Sequence, residues 1–167
     1  MLIRQATCED FSALRSIEIA AFETLRAVNA VSGAASASSD AEFHQYLKDG
    51  LLYAACDPAN APVGYGGGMI MERWLHIGEL DVHPDWQRKG LGRRLVQTLL
   101  DEGRSRSLQG ATLTTDRRAA FNAPFYASIG FQIVEGDKCS PRLKAILDRE
   151  AQNRLDPLRR VGMMLVF

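Results

Sequence analysis

The sequence predicts an α/β domain built on one twisted mixed sheet of about six to seven strands, with helices on both faces. Three observations carry this expectation. Short apolar runs alternate with stretches of helical periodicity along the whole chain. Glycine, proline, asparagine and aspartate punctuate the boundaries between them. The 167 residues, 46% hydrophobic and 24% charged, suit one domain with its own core, so residues 1–167 read as a single unit without internal repeats.

The elements follow in order. Leu2 to Gln5 opens as a short strand. Thr7 with Asp10 resembles a capping box for a helix striped by Phe11, Leu14, Ile17, Ala21, Leu25 and Val28. Val31 to Ser39 is a small-residue loop, after which Ser39 and Glu42 cap a shorter helix carrying Phe43, Tyr46 and Leu47, ended by Gly50. Leu51 to Cys56 is a strand, Asp57 to Asn60 its turn, and Val63 to Met71 its partner, with Gly64, Gly66, Gly67 and Gly68 weakening it or marking bulges. Trp74 to Val82 forms a fourth strand, and a helix runs from Leu91 to about Ser107 with Leu91, Leu95, Leu99 and Leu108 toward the sheet. Ala111 to Thr115 is a fifth strand. A short helix starts near Asn122 or Pro124 and stops at Gly130; Phe131–Val134 and Val161–Phe167 are the last strands, with a helix from Pro141 to about Asn153 between them.

The most informative stretch is Gln87-Arg88-Lys89-Gly90-Leu91-Gly92-Arg93, between the fourth strand and its helix. A strand, a basic glycine-bearing turn and a helix start together aim backbone N–H groups and the helix dipole at an anion. Gly90 and Gly92 carry no Cβ to obstruct a phosphate, and Arg88, Lys89, Arg93 and Arg94 add charge, so a pyrophosphate is the natural tenant. The dinucleotide fingerprint would need a third glycine where Arg94-Leu95 stands, and no phosphate-binding loop of the G-x-x-x-x-G-K-[ST] type occurs.

Twenty basic residues balance twenty acidic ones, so no overall field favours nucleic acid or an anionic membrane. Cys8, Cys56 and Cys139 form no C-x-x-C pair, which points neither to zinc nor to a disulfide framework; Cys56 reads as a buried thiol. The start has no basic region followed by an apolar stretch, and no run approaches the roughly 18 apolar residues of a membrane span. The expected location is the cytoplasm. The acids and histidines show no metal-ligand spacing, so no metal is expected.

The string Trp74-Leu75-His76-Ile77-Gly78-Glu79-Leu80-Asp81-Val82-His83-Pro84-Asp85-Trp86-Gln87-Arg88-Lys89-Gly90-Leu91-Gly92 resembles the signature of the GNAT superfamily of acyl-CoA N-acyltransferases: a strand ending in V-x-P, then Q/R-x-x-G-x-G/A. Phe125-Tyr126-Ala127-Ser128-Ile129-Gly130-Phe131 is similar to the family's Y-x-x-x-G-F segment, at the usual separation. The resemblance implies a GNAT-like fold and acetyl-CoA as cosubstrate. It implies that the backbone of Leu80, Asp81 and Val82 holds the pantetheine arm, that an N–H near Val82 polarises the thioester carbonyl, and that Arg88, Lys89, Gly90, Leu91, Gly92 and Arg93 seat the pyrophosphate. The family often carries an asparagine seven residues before the tyrosine; that position is Ala119 here. Asn122 either takes over the coenzyme contact or caps the helix.

Acetyl transfer needs a neutral amine, and a free alkylamine of pKa ~10.4 is neutral only about once in a few thousand at pH 7. Glu79 and His76 are the candidate bases, His76 with the better intrinsic pKa. Three residues apart, they face opposite sides of a regular strand, so only one reaches the cleft unless a bulge intervenes. The resemblance makes Tyr126 the general acid that protonates the departing thiolate. The structural alternatives are a solvated or ion-paired Glu79, a hydrogen-bonded core His76 and a packing Tyr126. Asp116, Arg117 and Arg118 read as solvated loop, with lining of the cleft mouth as the alternative, and Trp74 as a strand-end packing residue or an acceptor-site aromatic.

The expected activity is acetyl-CoA-dependent N-acetylation of a small-molecule primary amine, by direct attack in a ternary complex. The Val31–Ser39 loop and the helix between the last strands are placed to close over such an acceptor. The alternatives are acetylation of a protein N-terminus or lysine, and a non-catalytic coenzyme-A-binding sensor or interaction module. A homodimer through sheet edges is compatible with this architecture.

Overall fold

The computed structural model describes residues 1–153 and 155–167. In chain order the elements are β1 (Leu2–Gln5), α1 (Phe11–Ala27), α2 (Asp40–Lys48), β2 (Leu52–Cys56), β3 (Pro62–Met71), β4 (Trp74–Val82), α3 (Leu91–Ser105), β5 (Gly110–Asp116), α4 (Ala123–Ala127), β6 (Gln132–Val134), α5 (Pro141–Gln152) and β7 (Arg160–Val166). The seven strands lie in the order β1-β2-β3-β4-β5-β7-β6. No described helix is long and apolar enough to cross a membrane.

Local chemistry sets the helix ends. Ser39 Oγ accepts from the Glu42 N–H while the Glu42 carboxylate takes the Ser39 N–H at 2.7 Å, a reciprocal capping box. Asp10 likewise receives the Thr7 N–H at 2.8 Å, and Arg4 grips both its oxygens. Gly50 takes a left-handed φ of +66° just beyond α2, where the chain reverses into β2.

The two faces have separate cores. Leu75 and Ile77 of β4 and Leu113 of β5 pack with Val96, Leu99 and Leu100 of α3. On the other face Phe11, Leu14 and Ile17 of α1 and Phe43 and Tyr46 of α2 pack on Ala54 and Tyr65. Leu143 of α5 covers the far end of that same face against Met164 and Val134. Trp74 lies against Gly110, where any Cβ would sit 2.5 Å from its ring, so it is a packing residue.

Two breaks in the sheet shape the site. Strands β4 and β5, which run parallel, pair only at Leu75–Ile77 against Ala111–Leu113, then diverge, while β5 stays with β7 through Asp116. The β5-facing edge of the second half of β4 is therefore left open. The second break is a bulge: Gly67 pairs with Glu79 but Gly68 pairs with Ile77, so Gly78 has no counterpart. Glycine is required on both strands because the Tyr46 ring lies on the bulge. A Cβ on Gly67 would stand 2.5 Å from Tyr46 Cδ2, and one on Gly78 would stand 2.4 Å from its hydroxyl. Gly67→Ala is expected to cost roughly 1–3 kcal/mol through overpacking, about 2–4 °C in Tm per kcal/mol for a chain of this size. An unshifted thermal melt would contradict this account of Tyr46.

Candidate active site

Where β4 parts from β5, a cleft of about 700 Å³ opens. Its walls are Leu80, Asp81 and Val82 of β4, the loop from Trp86 to Gly90, the first turn of α3, Ala21, Thr24 and Leu25 of α1, and the segment Ala120–Tyr126. The strand half with an open edge and the anion loop thus share one cavity. Gln87 ties them together by donating its side-chain amide to Val82 O at 2.9 Å.

The loop has the conformation its composition predicts. Arg88 and Gly90 adopt left-handed backbone, φ +58° and +79°. The α3 ladder starts with Arg94 N–H on Gly90 O, which leaves the N–H groups of Leu91, Gly92 and Arg93 without a helical acceptor. A Cβ on Gly92 would meet only Phe125, Val82 and Leu80, none closer than 3.7 Å, so the fold tolerates a methyl there that projects into the cleft. The basic side chains divide. Arg88 is exposed at the loop, Lys89 lies over the Trp86 ring at 4.6 Å, and Arg93 donates to Ser128 Oγ at 2.7 Å. Arg94 turns away to Met1 O, outside this cleft.

Asn122 does not cap α4 with its side chain. Its Nδ2 donates to Thr115 Oγ1 at 2.9 Å, and its buried Oδ1 has no hydrogen-bond partner among the described residues. Ala119, seven residues before Tyr126, is buried. Tyr126 lines the cleft, 8% exposed, edge-on to Phe125 and Phe131. Burial, then the negative charges of Asp81 and Glu79, raises its phenol pKa, so it keeps its proton through the neutral and alkaline range.

The expectation that His76 and Glu79 face opposite sides is corrected. The extra residue Gly78 between them restores the alternation, and both side chains point to the α1–α2–α5 face. His76 is nonetheless set back from the cleft wall. It is buried, with Nδ1 3.1 Å from Thr112 Oγ1, and burial, with help from Arg142, pulls its pKa down to about 4. It is the hydrogen-bonded core residue of the two alternatives.

Glu79 sits in an arrangement that sequence spacing did not reveal. Carboxylate oxygens of Glu79, Asp81 and Glu18 lie within 4.8 Å of one another. Glu18 comes from the buried stripe of α1 and accepts from Ser38 N–H, Ser38 Oγ at 2.6 Å and the Tyr65 hydroxyl. Burial, then Asp81 and Glu18, raises the Glu79 pKa well above the carboxylate range. Asp81, the member that reaches the cleft, is raised to about 7 by burial and then by Glu18. The sequence reading used only the backbone of Asp81 and missed Glu18 altogether. The signals were an acid placed between Ile17 and Ala21 on an apolar helical stripe, and two acids at the strand period of two.

The Asp81 shift has a consequence for stability. Between pH 3.8 and about 7 the folded protein holds a proton on Asp81 that the unfolded chain has released, so rising pH costs stability across that window. His76 acts oppositely between about pH 4 and 6.5, because the unfolded chain then binds the proton that the fold refuses. Only the difference between variant and parent isolates Asp81. Asp81→Asn is expected to match the parent's Tm near pH 4 and to exceed it increasingly up to about pH 7. A constant difference across that range would show that Asp81 ionises normally.

Asp116 is corrected as well. It is not solvated loop but a buried residue at the end of β5, paired with Arg159 at 2.6 Å and accepting from the N–H groups of Arg118 and Ala119. The pair, with those two N–H bonds, holds its pKa below the usual range against the cost of burial. It braces the turn that leads to Asn122 and Tyr126.

The comparisons fit this geometry. The sequence pattern of the acetyltransferase (GNAT) family matches residues 12–131. Rv2747 from Mycobacterium tuberculosis, crystallised in complex with CoA, superposes with a TM-score of 0.72 at 18% identity, covering 100% of this chain and 99% of that one. The ribosomal-protein-S18-alanine N-acetyltransferase from Escherichia coli gives 0.68 at 19% identity, over 99% and 92%. The paia N-acetyltransferase from Thermoplasma acidophilum, in complex with coenzyme A, gives 0.69 at 13% identity, over 99% and 98%. With its matched segment spanning the open-edged strand, the anion loop and the tyrosine helix, the chain belongs to the acetyltransferase (GNAT) family and is an acyltransferase.

Proposed function

We propose that the protein transfers an acetyl group from acetyl-CoA to a primary amine of a small molecule, by direct attack within a ternary complex. The observation that carries this reading is the continuity of the open edge of β4 with the left-handed Arg88–Gly90 turn and the α3 N-terminus along one cleft. The residues present suit the coenzyme. The free N–H groups of Leu91 to Arg93 match a diphosphate. The open backbone of Leu80 to Val82 matches the amides of the pantetheine arm, and Oδ1 of Asn122, unpartnered among the described residues, is an acceptor for a further N–H.

The side chains divide the proton work. Asp81, raised to about 7 and lining the cleft, takes the proton from the acceptor ammonium. The freed nitrogen lone pair attacks the thioester carbonyl carbon, and the carbon–sulfur bond breaks as the amide forms. Tyr126, protonated throughout, delivers its proton to the departing sulfur. Glu79, also raised by burial and then by Asp81 and Glu18, stands beside Asp81 but is not among the residues lining the cleft, which leaves Asp81 the group that meets the acceptor. A backbone N–H near Val82 steadies the developing oxyanion.

The deciding experiment is thiol release from acetyl-CoA across a panel of small amines, amino acids and peptides. Amine-dependent release with N-acetylated product is expected. Coenzyme binding without release for any amine would favour the sensor reading, and release with peptides alone would assign a protein acceptor.

A further inference from the structure

We infer that Arg159 is a positioning residue: its guanidinium bridges Asp116 at the end of β5 to the last carbonyls of α1, and so sets the spacing between two walls of the cleft and the place of Tyr126. This rests on the acetyl-transfer reading above. The fork reaches both sides at once. Its Nε donates to Asp116 Oδ2 at 2.6 Å and Nη2 to Oδ1 at 3.1 Å, while Nη1 donates to the carbonyl oxygens of Val28 and Asn29. Five N–H donors in a rigid plane allow this, whereas the compact ammonium of lysine does not span both partners.

Each wall depends on the tie for its own reason. Thr24 and Leu25 of α1 line the cleft, yet the last buried residue of that helix is Ala21. Beyond it the chain closes in a Schellman turn: Asn29 takes a φ of +54°, its N–H bonds Arg26 O and the Ala30 N–H bonds Leu25 O. That pattern leaves the carbonyls of Val28 and Asn29 to the Arg159 cation, which the negative end of the helix dipole also favours.

The facing wall starts at Asp116. Its Oδ1 accepts the N–H groups of Arg118 and Ala119, and the Arg117 N–H donates to Arg159 O at 2.7 Å. From there the chain runs to Asn122 and Tyr126, and Arg93 holds the far end of that segment at Ser128. Arg159 is itself prearranged, because Asp156 O accepts the N–H groups of Arg159 and Arg160. The paired side chains are only 15% and 2% exposed, so salt screens them weakly.

The test uses the full-length protein with Asp116→Asn and Arg159→Lys. Asparagine keeps an oxygen for the Arg118 and Ala119 N–H groups but turns an NH2 group toward Arg159, so it breaks the bridge and spares the turn. With the fastest amine of the panel above, and well below each variant's Tm, kcat is expected to fall about tenfold or more while calorimetric CoA affinity changes less than about threefold. The diphosphate seat on α3 lies outside the bridge. In the Tyr126→Phe background Asp116→Asn should cost little more, because the bridge acts through that hydroxyl. Hydrogen exchange should quicken together in residues 24–30 and 117–126, with the first turn of α3 unchanged. Unchanged kcat with a lowered Tm, a full further loss in Tyr126→Phe, or CoA affinity falling in step with kcat would overturn the inference. Should the wild type acetylate no amine, faster exchange in both segments would keep the bridge and overturn the transfer reading. Faster exchange in one segment or neither would overturn the bridge.

Discussion

Replacing Asp81 with asparagine is expected to lower kcat/KM about 100-fold or more at pH 7.5, the lower end of what a positioned general base contributes. The wild-type profile should rise with pH through a midpoint near 7, because Asp81 is lifted to about 7 by burial and by Glu18. Only its ionised form accepts the proton. The variant should lose that inflection and retain only the slow rise that follows deprotonation of the free amine, whose pKa is ~10.4. Glu79→Gln is expected to leave the inflection in place, since Asp81 lines the cleft and Glu79 is not among its lining residues. Initial rates from pH 6 to 9 check this. An inflection near 7 that survives in Asp81→Asn and vanishes in Glu79→Gln would exchange the two roles. His76→Gln should leave the profile unmoved, because His76 is held down to about 4 and bonded to Thr112, away from the cleft.

Tyr126→Phe is expected to reduce kcat about 100-fold while coenzyme affinity stays the same. The ring makes the packing contacts with Phe125 and Phe131, and phenylalanine keeps them, so the loss comes from the hydroxyl alone. The acid has no alkaline limb of its own below about pH 9, because burial and the neighbouring carboxylates keep the phenol protonated. A variant with unchanged turnover from pH 6 to 9 would remove Tyr126 from the chemistry and return it to packing. A fall in KM for the acceptor together with kcat would point instead to ground-state contact.

Much of the frame was legible because local signals and tertiary structure agree. The second capping box, the glycine that ends α2, and the bounds of β4 were all readable from short-range chemistry. The Gly90 turn was readable for the same reason: a strand-to-helix junction with two glycines has few conformations. What escaped depended on partners far along the chain. Gly78 looked like any strand glycine, and only the register of β3, which passes from Glu79 to Ile77 without it, and the ring of Tyr46, 32 positions earlier in sequence, mark it as a bulge. That single residue put His76 and Glu79 on one face. Glu18 lay hidden in an apolar stripe, and its meaning appears only when β4 brings Glu79 and Asp81 over it. Asp116 read as loop because its partner, Arg159, follows 43 residues later.

The central claim is that main-chain N–H groups at the start of α3 seat the coenzyme's diphosphate. Calorimetric titration of CoA into the wild-type protein and Gly92→Val tests it most directly. Nothing in the protein lies within 3.7 Å of the position a Cβ would take at Gly92, so the variant should fold and melt like the parent, yet its side chain would fill the space the diphosphate needs. Saturable heat with the wild type and none with the variant is the result expected. Equal binding by both, or no heat from the well-folded wild type, would contradict the account.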